Sequence, residues 1–333
     1  MSLSQAKELY NYGSYFETIL AYGSDAAASR LTNAFRSLDN GDLLPCDPTT
    51  ADTKKKFFIT RCYRIKQSKE VHLYGRIHSD ICKVPLYLVT VVRMQIKLTR
   101  AKSNFYLINK EAESKTVFNF LDAQLLVNCV KRSQSLLLAH NTALEKGALT
   151  SYNLTRFELY SFTFSGGAQS FSIHNVVFGP NPKRLLFIMV KNTDFLGSVN
   201  TNPYFFRHYI LSSFALNIKG KQIPTEDLNL SMDHEKTSVM GYRKFFEKSG
   251  NYHSNSGLQI THNIYINGYF MQLFELATDR GISEGHNLHP DNGNIRVELK
   301  FSKPLPEPIT CKFYLEYDNS VRVYTSRTES TDF

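Results

Sequence analysis

The stretch from Gly293 to Asn319 constrains the fold most, because apolar and polar residues alternate in it twice. A connector with three prolines, Ser302 to Pro308, separates the two runs. Successive side chains of a strand point to opposite faces, so each run predicts a strand with one dry face and one wet face. The predicted dry faces are Ile295, Val297, Leu299 and Phe301, then Ile309, Cys311, Phe313, Leu315 and Tyr317; the wet faces are Arg296, Glu298 and Lys300, then Thr310, Lys312, Tyr314 and Glu316. We predict a hairpin in an antiparallel sheet that packs against a second layer.

The composition favours a β-rich fold with a substantial core. The chain has 333 residues, enough for one large or two medium domains, and 42% of them are hydrophobic. Phe (24) and Tyr (19) are abundant, and aromatic residues fit the pleated, half-buried surface of a sheet. The predicted class is therefore all-β, with short inserted helices.

The charge of the chain is positive but spread out. There are 39 Lys and Arg against 30 Asp and Glu, which gives a formal net charge of +9. The run Lys54–Lys56 is expected to be a solvated loop, because three lysines are too few to define a nuclear-import or nucleic-acid patch. The diffuse excess still favours anionic partners, nucleic acid included, without sequence specificity.

Cysteine usage and hydropathy predict a protein that is assembled inside the cell and is not secreted. The five cysteines are an odd number, and no two of them form a C-x-x-C pair, so we expect reduced thiols. Met1 to Tyr15 contains no apolar signal core. The longest apolar runs, Leu86–Val92 and Leu185–Val190, are too short to cross a bilayer, so no membrane span is expected.

The hydrophobic periodicity predicts helices and strands along the whole chain. Helices are expected at 14–36 (with a break after Gly23), at 133–146 (capped by Ser133 and ended by Gly147) and at 239–248. Strands are expected at 57–65, 70–77, 93–99, 116–131, 157–164, 170–174, 184–191, 209–218 and 269–276, before the alternating stretch. The apolar stripe of the helix at 133–146 has two interpretations, core packing or contact with a neighbouring subunit.

The two halves of the chain repeat one order of elements. In each half a helix is followed by a strand that ends in an acidic turn, at Asp80 or Asp279, and then by a strand headed by an arginine, Arg93 or Arg296. This order suggests two copies of one β-sandwich, and long crossing loops with one short helix per copy fit a jelly roll. The predicted fold is therefore a double jelly roll whose first roll is incomplete, by about three of the eight strands that a roll needs.

Seven stretches in this order resemble the double jelly-roll major capsid proteins of Polinton/Maverick elements and the related adintoviruses, of the adenovirus hexon-like lineage. Together they span about residues 12–320, and their order and spacing carry the likeness more than any single motif does. The stretches are Tyr15–Gly23, Lys69–Ser79, Met94–Ser103, Leu138–Gly147, Asn202–Pro224, Phe246–Gly250 and Gly293–Asn319.

The resemblance implies a structural protein of the virion capsid and no enzyme. Its subunits would form homotrimers of pseudo-hexagonal outline that tile an icosahedral shell, with a minor capsid (penton) protein as partner. Non-specific contact with packaged DNA would suit the positive net charge. The expected organisation is a first jelly roll at 14–131, a linking helix at 132–150 and a second jelly roll at 151–325, with 1–13 and 326–333 disordered.

The chain departs from the family at its start, where the opening strands of the first roll are expected to be missing. Unpaired, buried sheet edges invite aggregation. We therefore expect this chain, expressed alone, to have a defective first domain, as a truncated gene model or a decayed copy would. A soluble trimer that melts cooperatively throughout would contradict this expectation.

The sequence predicts no catalytic, cofactor-binding or metal-binding residues. It contains no G-x-S-x-G, P-loop, G-x-G-x-x-G or H-E-x-x-H motif. His72 and His78 could share a strand face but would lie ~20 Å apart, too far to bind one metal. The most ligand-like cluster, His286, His289 and Asp291, is interpreted as a solvated loop or a polar contact between subunits.

The remaining polar candidates have structural interpretations. Asp80 and Asp279 are expected to be turn carboxylates that accept backbone N–H groups, and Arg93 and Arg296 to form structural or inter-subunit ion pairs. The alternative from another class is a β-sandwich that binds carbohydrate or nucleic acid as a monomer or small oligomer. It predicts a groove with clustered exposed aromatic residues, whereas a capsid subunit predicts large flat flanks.

Overall fold

The computed structural model describes residues 10–36, 56–89, 94–108, 116–198, 200–230, 239–253, 255, 257–276, 292–324 and 329–332. The strands are β1 Thr150–Phe164, β2 Ser170–Pro180, β3 Arg184–Lys191, β4 Leu211–Ile218, β5 Lys221–Asn229, β6 Gln272–Glu275, β7 Asn292–Phe301, β8 Ile309–Val323 and β9 Glu329–Asp332. The α-helices are α1 Tyr10–Ala21, α2 Ser24–Ala28, α3 Lys56–Ile65, α4 Gln134–Glu145, α5 Asn192–Leu196, α6 Val239–Ser249 and α7 His262–Ile266. Single 3₁₀ turns lie at Arg30–Ala34, Lys66–Ser68, Asp80–Cys82 and Ser103–Phe105.

The strands pair as a folded ribbon. β1 pairs with β8, β2 with β7, β3 with β6 and β4 with β5, all antiparallel. Two further pairings, β3 with β8 and β4 with β7, join these ribbon segments into two sheets of order β1-β8-β3-β6 and β2-β7-β4-β5. An eight-stranded ribbon wound into two facing sheets is a jelly roll. The two antiparallel sheets with short helices confirm the predicted mostly β class.

The two sheets bury an aromatic core between them. Phe187 of β3 lies 4.8 Å from Phe214 of β4 and 5.2 Å from Phe313 of β8, measured between ring centroids. Phe274 of β6, which lies in the same sheet as Phe187, stacks on Phe214 with the ring centroids 4.7 Å apart. The predicted dry-face residues from Ile295 to Tyr317 are all buried here. Each fully buried side chain of this size contributes about 1.5–3 kcal/mol, so this core accounts for the cohesion of the two sheets.

Helix α1 forms a third layer on the outer face of the β1-β8-β3-β6 sheet. Phe16 is fully buried and lies 5.6 Å from Tyr314 of β8 and 5.7 Å from Phe206, between ring centroids. Gly13 allows this close approach, because a Cβ there would lie 2.6 Å from the Phe157 ring of β1. The predicted helix at 14–36 is confirmed, with its break at Gly23, but it starts at Tyr10. The prediction that 1–13 is disordered is wrong for residues 10–13.

The predicted hairpin of β7 and β8 is wrong, although both strands exist. β7 belongs to one sheet and β8 to the other, so the Ser302–Pro308 connector crosses between sheets. Glu307 fixes the crossing, since its carboxylate pairs with Lys191 at 2.6 Å and accepts a hydrogen bond from the Tyr209 hydroxyl at 3.1 Å. Alternation identifies strands but does not say which neighbour a strand takes.

The predicted wet face of β8 is also wrong. Thr310, Lys312 and Tyr314 are buried, with exposed fractions of 0%, 0% and 3%. The physical reason is the third layer, because α1 and the residues around Phe206 cover the outer face of this sheet. β3 shows the same effect, since its outward side chains Leu186 and Ile188 lie opposite Tyr314 and Lys312 and are buried too.

Several other predictions for the second half are confirmed. β1, β2 and β3 contain the strands predicted at 157–164, 170–174 and 184–191. β4 begins two residues later than the strand predicted at 209–218, and β6 covers only 272–275 of the one predicted at 269–276. α4 and α6 lie at the predicted helices. The Ser133 hydroxyl accepts a hydrogen bond from the Leu136 amide at 3.3 Å, which is the predicted cap of α4. β5 and α7 were not predicted. The tail at 326–333, expected to be disordered, contributes β9, which pairs with β8 at Ser320–Val323.

The strand predictions for the first half fail in the structure. Residues 57–65 belong to α3, and 70–77, 94–99 and 116–131 carry no strand. A strand needs a neighbour for its backbone hydrogen bonds, and the described part of residues 10–149 contains no sheet that could supply one. The division into a first roll at 14–131, a linker at 132–150 and a second roll at 151–325 stays a prediction.

Candidate interaction surfaces

The two histidines considered as metal ligands have different surroundings. The His72 side chain is 95% exposed, with Nε2 3.9 Å from the Glu70 carboxylate. His78 is largely buried, and its Nδ1 lies 2.7 Å from Oε2 of Glu17 in α1. Within the described ranges, no three His, Cys, Asp or Glu side chains come together in a geometry that could hold a metal ion.

A polar cluster fastens α1 to the turn at residues 78–83. The Glu17 carboxylate pairs with both the His78 ring and the Lys83 ammonium. The His78 backbone amide donates a hydrogen bond to the Tyr10 hydroxyl at 2.9 Å. Burial by itself would raise the pKa of Glu17, but the hydrogen bonds from His78 and Lys83 outweigh it and the pKa is lowered. Ionised Glu17 is therefore the favoured form in the folded chain.

Asp80 lies in the same cluster and begins the 3₁₀ turn Asp80–Cys82. The predicted turn is present, and the carboxylate faces the Lys83 ammonium at 4.0 Å. Burial raises the pKa of Asp80 to about 6, against the smaller opposing effect of Lys83. The nearby carboxylates of Glu17 and Glu316 raise it further.

Of the other predicted polar residues, the structure describes Arg296. Arg296 of β7 pairs with Glu298 at 2.8 Å and donates from Nε to the Ser172 hydroxyl of β2 at 3.2 Å, so it forms a structural ion pair as predicted. The remaining candidates lie outside the described residues: Arg93, Asp279, His286, His289 and Asp291.

A buried lysine lies beneath α1. The Nζ of Lys312 is 3.9 Å from the ring centroid of Tyr12 in α1 and 4.1 Å from that of Phe195 in α5. It donates to the Ser161 hydroxyl of β1 at 3.5 Å. Burial lowers the pKa of Lys312 to about 7. Tyr12 in turn donates from its hydroxyl to the Pro203 carbonyl at 2.9 Å, which fixes the ring over the ammonium.

Sequence reasoning missed this lysine pocket. The sequence predicts a wet face for Lys312 and a disordered tail for Tyr12, so neither residue stands out as part of a pocket. One signal was available: Tyr12 precedes Phe16 and Ile19 at helical spacing. That spacing extends the apolar stripe of the first helix back by one turn, but it does not say that the stripe would cover β8.

The first half of the chain presents most of the exposed large apolar side chains. They concentrate between Tyr63 and Leu149, whereas buried apolar residues concentrate in the jelly roll and α1. Helix α4 illustrates this, because among its residues only Leu144 is even half-buried and Leu138 is 69% exposed. The core-packing interpretation of α4 is therefore wrong in this structure. Further exposed members are Phe120, Leu121, Leu125, Leu126, Val127 and Val130.

The comparisons with known sequences give one relative. No family model matches the chain. The uncharacterized protein F54H12.2 of Caenorhabditis elegans is 26% identical over 319 residues, which cover 93% of this chain and 71% of that protein.

Solved virus structures are similar to part of the chain, and each match covers 56% of it. The cryo-EM structure of the Sputnik virophage has a TM-score of 0.38 at 12% identity. The PBCV-1 virus capsid model has 0.33 at 11%, and the mavirus major capsid protein 0.29 at 12%. The chain spans 39%, 52% and 41% of the length of these three chains. At such TM-scores the likenesses carry no argument about function.

Among the described helices, none is both long and apolar enough to cross a membrane.

Proposed function

We propose that this chain is a structural subunit of a viral or transposon-type capsid, and that its activity is self-association. The single observation that carries the proposal is the jelly roll of residues 150–323, with its ribbon pairing β1-β8, β2-β7, β3-β6 and β4-β5. Viral capsid domains are a frequent use of this architecture. The seven stretches that resemble Polinton/Maverick and adintovirus capsid proteins support the same conclusion and add the lineage.

The surface that supports self-association is the exposed apolar part of residues 63–149. Large exposed apolar patches on soluble proteins mark interaction sites. Helix α4 is the best defined element of this surface, because it presents Leu136, Leu137 and Leu138 to solvent. Of the two interpretations of its apolar stripe, we adopt contact with a neighbouring subunit as the role of α4.

The finer parts of the proposal follow from the resemblance. The subunits form homotrimers of pseudo-hexagonal outline, which then tile a shell with a minor capsid (penton) protein. Their interfaces are large and apolar, as in permanent assemblies. The positive net charge of +9 suits non-specific contact with packaged DNA. Localisation is the virion capsid, after assembly in the cytoplasm or nucleus.

The alternative, a monomeric β-sandwich that binds carbohydrate or nucleic acid, predicts a groove with clustered exposed aromatic side chains. A cavity of about 300 Å³ on the outer face of the β2-β7-β4-β5 sheet is lined by Asn217, Lys219, Gly220, Asn294, Arg296 and Glu298, none of them aromatic. One aromatic cluster favours the alternative: the rings of Tyr106, Phe118 and Phe120 gather around the Arg100 guanidinium, with Tyr106 38% and Phe120 63% exposed.

Light scattering on the purified full chain tests the proposal. We expect discrete oligomers with the trimer as the smallest closed species. The variant Leu137→Glu/Leu138→Glu is expected to shift the population toward monomer while the jelly roll keeps its melting temperature, since neither side chain is buried. Ser135→Glu/Asn141→Glu on the same helix is the matched control. A wild-type monomer that binds a glycan or an oligonucleotide would favour the alternative.

A further inference from the structure

Helix α1 covers a part of the sheet face that is apolar and would be unfavourable to expose to water. Beneath it lie Phe157 of β1, Tyr314 of β8 and Phe206, which contact Gly13 and Phe16 of the helix. The helix belongs to the first half of the chain, yet its buried residues Tyr12 and Phe16 join the core of the second half. Removing α1 would therefore expose a continuous apolar strip to solvent.

The contact between α1 and this strip contains a fully buried cationic side chain, Lys312. Lys312 projects from β8 into the pocket under Tyr12, and its nearest polar contact is the Ser161 hydroxyl at 3.5 Å. A pocket made of two aromatic faces and one hydroxyl holds a neutral amine well. It holds an ammonium less well, because cation–π contacts replace only part of the lost hydration.

The groups that surround Lys312 come from several elements. From α1 comes the Tyr12 phenol, whose pKa is raised well above its usual value by burial, and further by Tyr204 and Asp194. From α5 comes Phe195, next to the buried Asp194. From β8 itself comes Tyr314, whose pKa is also raised by burial. Burial keeps both phenols protonated near neutral pH, whereas it brings the pKa of Lys312 into that range.

We propose that α1 is a proton-controlled strap: protonation of Lys312 favours lifting of α1 from the β1-β8-β3-β6 sheet. In the closed state the amine is dry and sandwiched between Tyr12 and Phe195. In the open state the ammonium is hydrated and the apolar faces of Phe157, Tyr314 and Phe206 are uncovered. The strap is a property of the jelly roll with α1 and does not depend on the capsid assignment.

The sign of the pH effect follows from linkage. Burial lowers the pKa of Lys312 from 10.5 to about 7 in the closed state. The open state therefore binds more protons between these values, so a falling pH favours opening. From about pH 8.5 to about pH 6 the ratio of open to closed molecules should rise on the order of 30-fold.

The polar cluster at the other end of α1 has to be separated from this effect. This cluster consists of Glu17, His78, Asp80 and Lys83, and burial raises the pKa of Asp80 in it to about 6. They lie in the contact with the turn at 78–83. A variant of Lys312 leaves them unchanged, so it isolates the contribution of the lysine.

Hydrogen exchange of the full chain tests the strap. Protection factors of the α1 amides, corrected for the intrinsic exchange rate, are expected to fall on the order of 30-fold from about pH 8.5 to about pH 6. The amides of β3 should keep their protection. Lys312→Met is expected to abolish the response of α1, whereas Lys300→Met, at an exposed position of β7, should retain it. A wild-type α1 whose protection does not change with pH, or a Lys312→Met chain that responds like wild type, overturns the proposal.

A second measurement decides the matter if Lys312→Met does not fold. In wild-type protein labelled with ¹³C at the lysine Cε, one resonance should titrate near neutral pH, far below the usual value of about 10.4. A spectrum in which every lysine titrates above about 9 overturns the strap without any variant.

Discussion

The two sheets of the jelly roll share one architecture and differ in their outer faces. The outer face of β2-β7-β4-β5 presents Ser172, Asn217, Arg296 and Lys300 and is left to solvent. The outer face of β1-β8-β3-β6 presents Leu186, Ile188 and Tyr314, all buried, and α1 covers it at β1 and β8 while α6 packs on β6. One sheet is thus half-buried and the other is buried on both sides.

This difference shows what an alternating strand does and does not determine. β7 and β8 alternate equally well in sequence. The side chains that point away from the core between the sheets are mostly exposed in β7, but they are mostly buried in β8. Alternation tells which residues share a face. Whether that face meets water is decided by a helix that lies about 300 residues earlier in the chain.

The largest expected effect comes from removing the side chain that anchors α1. Phe16→Ala should lower the free energy of unfolding by about 3–5 kcal/mol, because the ring is fully buried against Phe206 and Tyr314 and leaves a cavity. Urea denaturation measures the loss. Lys300→Ala on the uncovered sheet is the control and should change stability by less than about 0.5 kcal/mol. Equal effects of both substitutions would show that α1 is no part of the core.

The next effect tests how closely α1 approaches the sheet. Gly13→Ala should destabilise the chain by about 1–3 kcal/mol, because the new Cβ would lie 2.6 Å from the Phe157 ring. That ring stacks on Tyr314 at 5.4 Å, which limits its freedom to move aside. Thermal melting checks the loss. Gly257→Ala is the control, since its nearest contact would be an ordinary 4.0 Å; a neutral Gly13→Ala would mean that α1 sits farther out.

Much of the jelly roll could be predicted from the sequence, and the reasons for the failures are physical. The dry faces of β7 and β8 were found because burial between two sheets imposes strict alternation on both. The hairpin was not excluded, because seven connector residues with three prolines fit a turn and a crossing alike. Residues 57–65 are rich in aromatic and β-branched side chains, which favour a strand. Strand propensity depends on context, however, and these residues have no neighbouring strand to pair with in the described structure.

The lysine pocket could not be predicted, because its parts come from distant positions. Tyr12, Phe195 and Lys312 meet only after the ribbon has wound into sheets and α1 has covered one of them. A lysine on an alternating strand ordinarily marks the solvent face. Conversely, the exposed position of α4 contradicts its apolar stripe, since periodicity shows which residues share a face but not what covers that face.

A pH effect of intermediate size is expected from Asp80, in the polar cluster between α1 and the turn at 78–83. Because burial raises the pKa of Asp80 from 3.8 to about 6, the folded chain binds more protons than the unfolded chain in this window. Stability should therefore fall as pH rises from about 4 to about 6. Asp80→Asn is expected to remove this slope and to stabilise the chain by about 1–2 kcal/mol above pH 6.

Urea titrations at a series of pH values measure this slope. Glu298→Gln on the uncovered sheet is the control and should leave the slope unchanged. Loss of stability in Asp80→Asn at every pH would show that the attraction to Lys83 outweighs the burial of the carboxylate, and would reverse the assignment of this group.

The smallest effect compares two ion pairs, one on each sheet. Arg184 of β3 lies opposite Glu316 of β8 at 3.3 Å, with side chains 24% and 15% exposed. Arg296 pairs with Glu298 along β7 at 2.8 Å, with 44% and 35% exposed. Arg184→Met should cost about 1 kcal/mol, because it leaves a largely buried carboxylate without its partner, while Arg296→Met should cost less than about 0.5 kcal/mol. The difference should persist in high salt, since buried pairs are screened less than exposed ones. Equal losses, or a difference that salt removes, would mean that the covered sheet is as open to water as its partner and that α1 does not shield it.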